Sequence, residues 1–184
     1  MQYLKIKTYK HRHENISHIL RLNMDYLLIS GTHNTGKTTL IYEITNFLIT
    51  NGYVDITGTF PLTRPIPMKD FRCILQGVGK GGIQKLILVN SATDDEHNIN
   101  LLIELFTKYP LVDIIITSIR DSTDPMRVLL LNRLNINPQQ DFQLELPLAR
   151  IIGQRQDFGV ALTSYQTALL PLVMHILDRQ PYNL

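Results

Sequence analysis

Eight consecutive residues, Gly31-Thr-His-Asn-Thr-Gly36-Lys37-Thr38, constrain what this chain can fold into more than any other stretch. They satisfy G-x-x-x-x-G-K-[ST] at every fixed position, a pattern with physical content only between a strand and a helix. Both flanks are present. Tyr26-Leu-Leu-Ile-Ser30 is a short apolar run of the kind a buried strand shows. Leu40, Ile41, Ile44, Phe47 and Leu48 then recur at helical spacing over 38–49, until Asn51-Gly52 supplies a stop signal. In that setting the glycines let the backbone curl until successive N–H groups converge on one anion. The helix adds its unpaired amino-terminal N–H groups and the positive end of its dipole. Lys37 sets a compact positive charge against the β- and γ-phosphates of a nucleotide. Thr38 offers a hydroxyl oxygen to Mg²⁺, which needs hard oxygen ligands, and Thr39 supports the α-phosphate side. Thr32, His33, Asn34 and Thr35 are the spacers of the loop, with the His33 ring expected in solvent.

The rest of the chain reads as one α/β domain over residues 1–184. A length of 184 residues suits one core, and 44% hydrophobic with 18% charged residues is ordinary for a folded protein. Leu4 to Thr8 alternates like a strand, and Ile16 to Leu22 is a short helical candidate. Residues 53–57 are a further strand candidate, and Thr59 to Asp70, with Pro61, Pro65 and Pro67, is a loop. The apolar runs Phe71 to Gln76 and Lys85 to Asn90 flank a glycine-rich stretch and predict an antiparallel hairpin. Thr93 to Tyr109 has helical periodicity, and Val112 to Thr117 is a β-branched run suited to a central strand. Asp124-Pro125 opens a helix through Leu134, Phe142 to Leu146 is a last strand, and 162–179 is helical with a kink expected at Pro171. Strands alternating with helices predict a three-layer, doubly wound, mostly parallel sheet.

At 26–50 the chain resembles the P-loop nucleoside triphosphatase superfamily. The resemblance implies a doubly wound domain that binds ATP or another nucleoside triphosphate on Mg²⁺ through Gly31 to Thr39. A looser likeness runs through 71–120, by way of Phe71-Arg-Cys-Ile-Leu75, Lys85 to Asn90, Thr93-Asp-Asp-Glu96 and Asp113 to Arg120. There the chain is similar to small ATP-binding P-loop proteins of bacteria whose function is uncharacterised, which names no substrate. Such proteins place an aspartate at the end of a second strand to hold the Mg²⁺ water shell. Here that strand ends in Asn90. Asp94 and Asp95 follow and are candidates for the metal and the chemistry, although Thr93-Asp-Asp-Glu96 is itself a capping-box pattern. Arg120 is the candidate for neutralising charge on a transferred phosphoryl group, with Arg127, Arg150 and Arg155 as alternatives or plain surface residues.

Other features carry less. Gly77-Val-Gly79-Lys-Gly81-Gly82 matches G-x-G-x-x-G, but a strand follows it, so a hairpin turn is the reading. Asp55-Ile-Thr-Gly58 falls only 18 residues after Lys37, and the absence of Asn-Lys-x-Asp argues against a GTPase. A head of the ABC or SMC type fits Leu4-Lys-Ile-Lys but lacks Leu-Ser-Gly-Gly and an Asp-Glu strand end. His11, His13 and His18 have no cysteine or carboxylate cluster to complete a metal site. Cys73 is a core residue with no disulfide partner. A net charge of +2 is too small to argue for nucleic acid, although residues 1–22 carry +4 and leave −2 for the remainder. With no signal-like or membrane-spanning stretch, a cytoplasmic location is expected. Two functions follow. One is an ATPase or phosphotransferase acting on a small-molecule acceptor. The other is a module whose protein partner is met through a nucleotide-ordered loop such as 59–70 or 118–125.

Overall fold

A computed structural model describes residues 24–149 and 158–184. The predicted elements at 4–8 and 16–22, the three histidines at 11, 13 and 18, the basic residues of 1–22, and Arg150 and Arg155 lie outside them. In chain order the elements are β1 (Asp25–Ser30), α1 (Lys37–Thr50), β2 (Val54–Asp55), β3 (Arg72–Val78), β4 (Gln84–Asn90) and α2 (Glu96–Lys108). Next come β5 (Ile114–Ile119), α3 (Pro125–Leu134), β6 (Phe142–Pro147) and α4 (Phe158–Leu177). They build one six-stranded sheet in the order β2-β3-β4-β5-β1-β6. β4, β5, β1 and β6 are mutually parallel, while β3 runs antiparallel to β4 and to β2. The fold is therefore α/β with a mixed, mostly parallel sheet.

Strand composition explains why both faces are covered. Successive side chains of a strand point to opposite faces, and in the central strands both sets are apolar. Leu27, Ile29, Ile87, Val89, Ile114 and Ile116 join a core with Leu40, Ile41 and Ile44 of α1 and Val173 and Leu177 of α4. Tyr26, Leu28, Leu88 and Ile115 join the opposite core with Ile99 and Leu102 of α2 and Leu130 and Leu134 of α3. Each such side chain contributes about 1.5–3 kcal/mol when fully buried, which is far more than the local propensity of any strand residue. Cys73 is buried in the first of these cores, as its apolar surroundings predict, and desolvation pushes its thiol pKa up. Among the described residues no helix is long and apolar enough to cross a membrane.

Several boundaries depart from the periodicity: the strand expected over 53–57 is reduced to Val54–Asp55, the helix expected over 162–179 runs Phe158–Leu177, and two further departures have a clear physical cause. The strand predicted over 112–117 lies at 114–119, because its pairing with β1 continues through Ile119 opposite Ser30. The helix predicted from Thr93 begins at Glu96. Its cap is Asp95, whose carboxylate accepts the Asn98 N–H at 2.8 Å, so the capping-box reading with Thr93 as cap is corrected. Thr93 instead turns its hydroxyl to the Ser118 carbonyl at 3.2 Å, and that bond keeps it beside β5.

The hairpin is antiparallel from Arg72↔Asn90 to Val78↔Gln84, with a 3-10 turn at Lys80–Gly82. Asp55, at the edge of the sheet, organises the turn that leads into 59–70. Its carboxylate accepts the N–H groups of Thr57, Thr59 and Phe60, each at 2.8 Å, and the Thr57 hydroxyl. Asp55 is thus a turn-former. Phe60 then stacks on Tyr42 of α1 at 5.0 Å and meets Phe71 edge-on at 5.3 Å, which pins the segment to the helix. Burial alone would raise the Asp55 pKa, but the hydrogen bonds outweigh it and hold the carboxyl below its ordinary value. Asp55→Ala leaves these donors without a partner, and we expect a loss of about 2 kcal/mol, read as a lower urea midpoint. The contribution is complete above the ordinary carboxylate range and is lost as pH falls through the lower folded value. Wild type and variant should therefore converge in stability in strongly acidic solution.

Candidate functional site

Strands β1, β4, β5 and β6 all end on the same side of the sheet, and the loop 31–36 leaves that side from β1, between β5 and β6. Its backbone passes through left-handed conformations at Asn34 (φ 60°) and Gly36 (φ 87°), while Gly31 has φ 152°. A Cβ at Gly31 would stand 2.7 Å from Thr35 Oγ1, so that position has no room for a side chain. Thr35 closes the turn by donating its hydroxyl to the Thr32 carbonyl at 3.0 Å. His33 is exposed, as expected of a spacer. Gly36 caps α1 without any side-chain bond. The first N–H groups of that helix are therefore left to whatever sits in the loop.

Lys37 is buried, with 8% of its surface exposed, and its ammonium is not free. Nζ donates to the carbonyls of Gly31 at 2.8 Å and Thr32 at 2.7 Å. Burial lowers its pKa below the ordinary value, opposed by the charge of Asp94 and reinforced by that of Arg120. The Thr38 hydroxyl donates to Asp70 Oδ1 at 3.0 Å and lies 3.5 Å from the Ser91 carbonyl. Three hard oxygens thus meet at the first turn of α1. No group of three or more His, Cys, Asp or Glu side chains fit to hold a metal occurs among the described residues. Two side-chain oxygens and a carbonyl nevertheless suit Mg²⁺, which takes one or two carboxylates and completes its shell with water and phosphate oxygens.

The candidates from the sequence are distributed unequally around this point. Arg120 follows β5 and sets Nε 3.1 Å from Asp94 Oδ1 and 3.7 Å from Asp124 Oδ2. Asp94 also brings Oδ2 to 3.8 Å from His33 Nδ1. Asp95 is spent on Asn98, through its N–H and its side-chain amide. Asn90 is fully buried and fully used. Its amide nitrogen donates to the Ala92 carbonyl and Thr117 Oγ1, and its oxygen accepts Arg72 Nε at 3.3 Å.

Asp70 and Ser91 were not legible as site residues. Antiparallel pairing of β3 with β4 brings the start of one to the end of the other, so Asp70 arrives at the side from which the loop leaves. The predicted hairpin contained that signal, had its register been carried two residues back from Arg72. Glu145 was missed as well. It accepts from both terminal guanidinium nitrogens of Arg127, Nη1 and Nη2, and takes a hydrogen bond from Ser30, the residue before Gly31. The bond from Arg127 holds the Glu145 carboxyl below its ordinary pKa. Arg127 also donates to the Arg120 carbonyl at 3.1 Å. One ion pair therefore braces the ends of β5, β1 and β6 together.

Comparison of the chain with known protein families, with curated proteins and with solved structures finds no match in any of the three.

Arg127→Ala should lower stability by about 2 kcal/mol, because it leaves a carboxylate and a carbonyl without their donor. Arg127→Lys should recover less than half of that, since an ammonium cannot reproduce the two-pronged contact. Urea denaturation of the three proteins checks both values.

Proposed function

We propose that residues 31–39 are the phosphate loop of a P-loop nucleoside triphosphate-binding domain. The chain binds a nucleoside triphosphate, ATP by resemblance, with Mg²⁺ in the cytoplasm, and hydrolyses it or passes the terminal phosphoryl group to a small molecule. One observation carries this reading. A buried lysine and the uncapped start of a helix face a loop held in left-handed turns at the carboxyl edge of parallel strands. The loop amides and Gly36 cradle the phosphates. Lys37, already desolvated, exchanges the Gly31 and Thr32 carbonyls for phosphate oxygens of full charge. Thr38 and Asp70 are the residues that would hold Mg²⁺, directly or through water. Bound there, the ion supplies neutralisation of charge on the phosphate oxygens. Catalysis in this reading is positioning and electrostatics by the loop amides, Lys37 and Arg120.

A second reading, a nucleotide-dependent binding module, is favoured by two observations. Asn90 ends β4 with its amide consumed, so that strand end contributes no carboxylate. The segment 59–70, which finishes at Asp70, exposes Leu62 at 82% and Ile66 at 94%. Nucleotide and metal at Asp70 would then set the position of an apolar, partner-facing loop.

Calorimetry with ATP and Mg²⁺ should show binding that Lys37→Ala weakens by about a hundredfold, as expected when a buried charge loses its partner. Equal affinity of the two proteins refutes the proposal. Asp70→Asn should reduce the gain in affinity that Mg²⁺ confers and leave metal-free nucleotide binding unchanged. Steady-state phosphate release separates the two readings, since a binding module hydrolyses slowly or not at all and is stimulated by no acceptor.

A further inference from the structure

The two cations of the site are held in different ways. Lys37 makes two good hydrogen bonds to its own loop. Arg120 Nε is buried and close to Asp94, yet it makes no hydrogen bond, because the 3.1 Å approach lies off the line the N–H requires. It has charge beside it without a directed acceptor. The pair is also half wet, with the Arg120 side chain 14% exposed and that of Asp94 39%. Partly exposed pairs of imperfect geometry are weak, so an oxyanion that met the guanidinium squarely would replace this carboxylate.

The position of the pair indicates which oxyanion. Ile119 lies opposite Ser30, so Arg120 stands one step beyond the sheet, level with Gly31 at the start of the loop. The amides of 36–39 sit at its other end. A polyphosphate lying along the loop extends its last phosphate toward Arg120. The second oxygen of Asp94 faces His33, so this one carboxylate reaches from the end of β5 to the loop. Leaving is cheap for it. The α2 cap belongs to Asp95, and Asp94 can swing into water without disturbing that cap.

We propose that Asp94 is an internal stand-in for the terminal phosphate, holding Arg120 until the third phosphate of a nucleoside triphosphate displaces it, so that the Asp94–Arg120 pair sets the preference for triphosphate over diphosphate. The proposal rests on residues 31–39 being the nucleotide site. It assigns Asp94 a role opposite in sign to that of a metal ligand. Removing a competitor tightens binding, whereas removing a ligand loosens it.

The test is the affinity of wild type, Asp94→Asn, Arg120→Gln and the double variant for ATP and ADP with Mg²⁺, each checked for folding by circular dichroism and urea midpoint. Asp94→Asn should bind ATP about tenfold more tightly with ADP changed less than about twofold, and Arg120→Gln should lose about tenfold for ATP alone. In the Arg120→Gln background, Asp94→Asn should give no gain, since its effect passes through the arginine. Weaker ATP binding by Asp94→Asn overturns the proposal, as does an equal gain for ATP and ADP or a gain that survives in the double variant. Wild type that binds ATP through Lys37 while Asp94→Asn changes nothing sinks this inference alone. Folded wild type that binds neither nucleotide sinks the nucleotide site and this inference together.

Discussion

A strand buried on both faces and paired on both edges can continue only beyond the end of the sheet, and β1 is in that position. β5 and β6 pair with all six of its residues, and apolar side chains cover it above and below. The backbone must therefore turn within the few residues between Ser30 and Lys37 and enter a helix that packs back on the same sheet. Left-handed conformations at Asn34 and Gly36 make that turn possible. Every distinctive feature of the site descends from this confinement. The amino end of α1 is aimed at the loop, Lys37 is folded under it, and Thr38 points along the edge toward Asp70 and Ser91.

That confinement explains why the loop and the sheet were legible in the sequence. Tyr26 to Ser30 is apolar without interruption, and Leu40, Ile41, Ile44 and Leu48 keep helical spacing, so two local signals fixed the residues between them. The hairpin and the Asp124-Pro125 helix start were equally local, and both lie where the spacing predicts. The likeness to nucleotide-binding proteins, by contrast, rests on the loop residues themselves and remains a proposal about what they hold.

What the sequence did not disclose depends on contacts between distant segments. Asp70 reaches Thr38 across 32 residues and Glu145 reaches Arg127 across 18, and no periodicity records such meetings. The choice of Asp95 over Thr93 as the α2 cap was hidden for a similar reason. Both residues are good caps in isolation, and the carbonyl of Ser118, on another strand, decides between them by taking the Thr93 hydroxyl. Asn90 shows the limit of reading by analogy. It stands where the resemblance places a strand-end aspartate, but its three bonds make it the fastener of β4 to β3, to β5 and to the turn that follows.

Cys73 gives this architecture a clock of its own. It is the one thiol in the chain, fully buried, on β3 three residues from Asp70. A buried thiol with its pKa pushed up is inert until its surroundings open. The rate at which a thiol reagent modifies it therefore reports how often β3 parts from its neighbours, with no probe added and no residue changed. Whatever settles in the loop and steadies Asp70 should lengthen that interval, so occupancy of the site is recorded by an atom that never touches it.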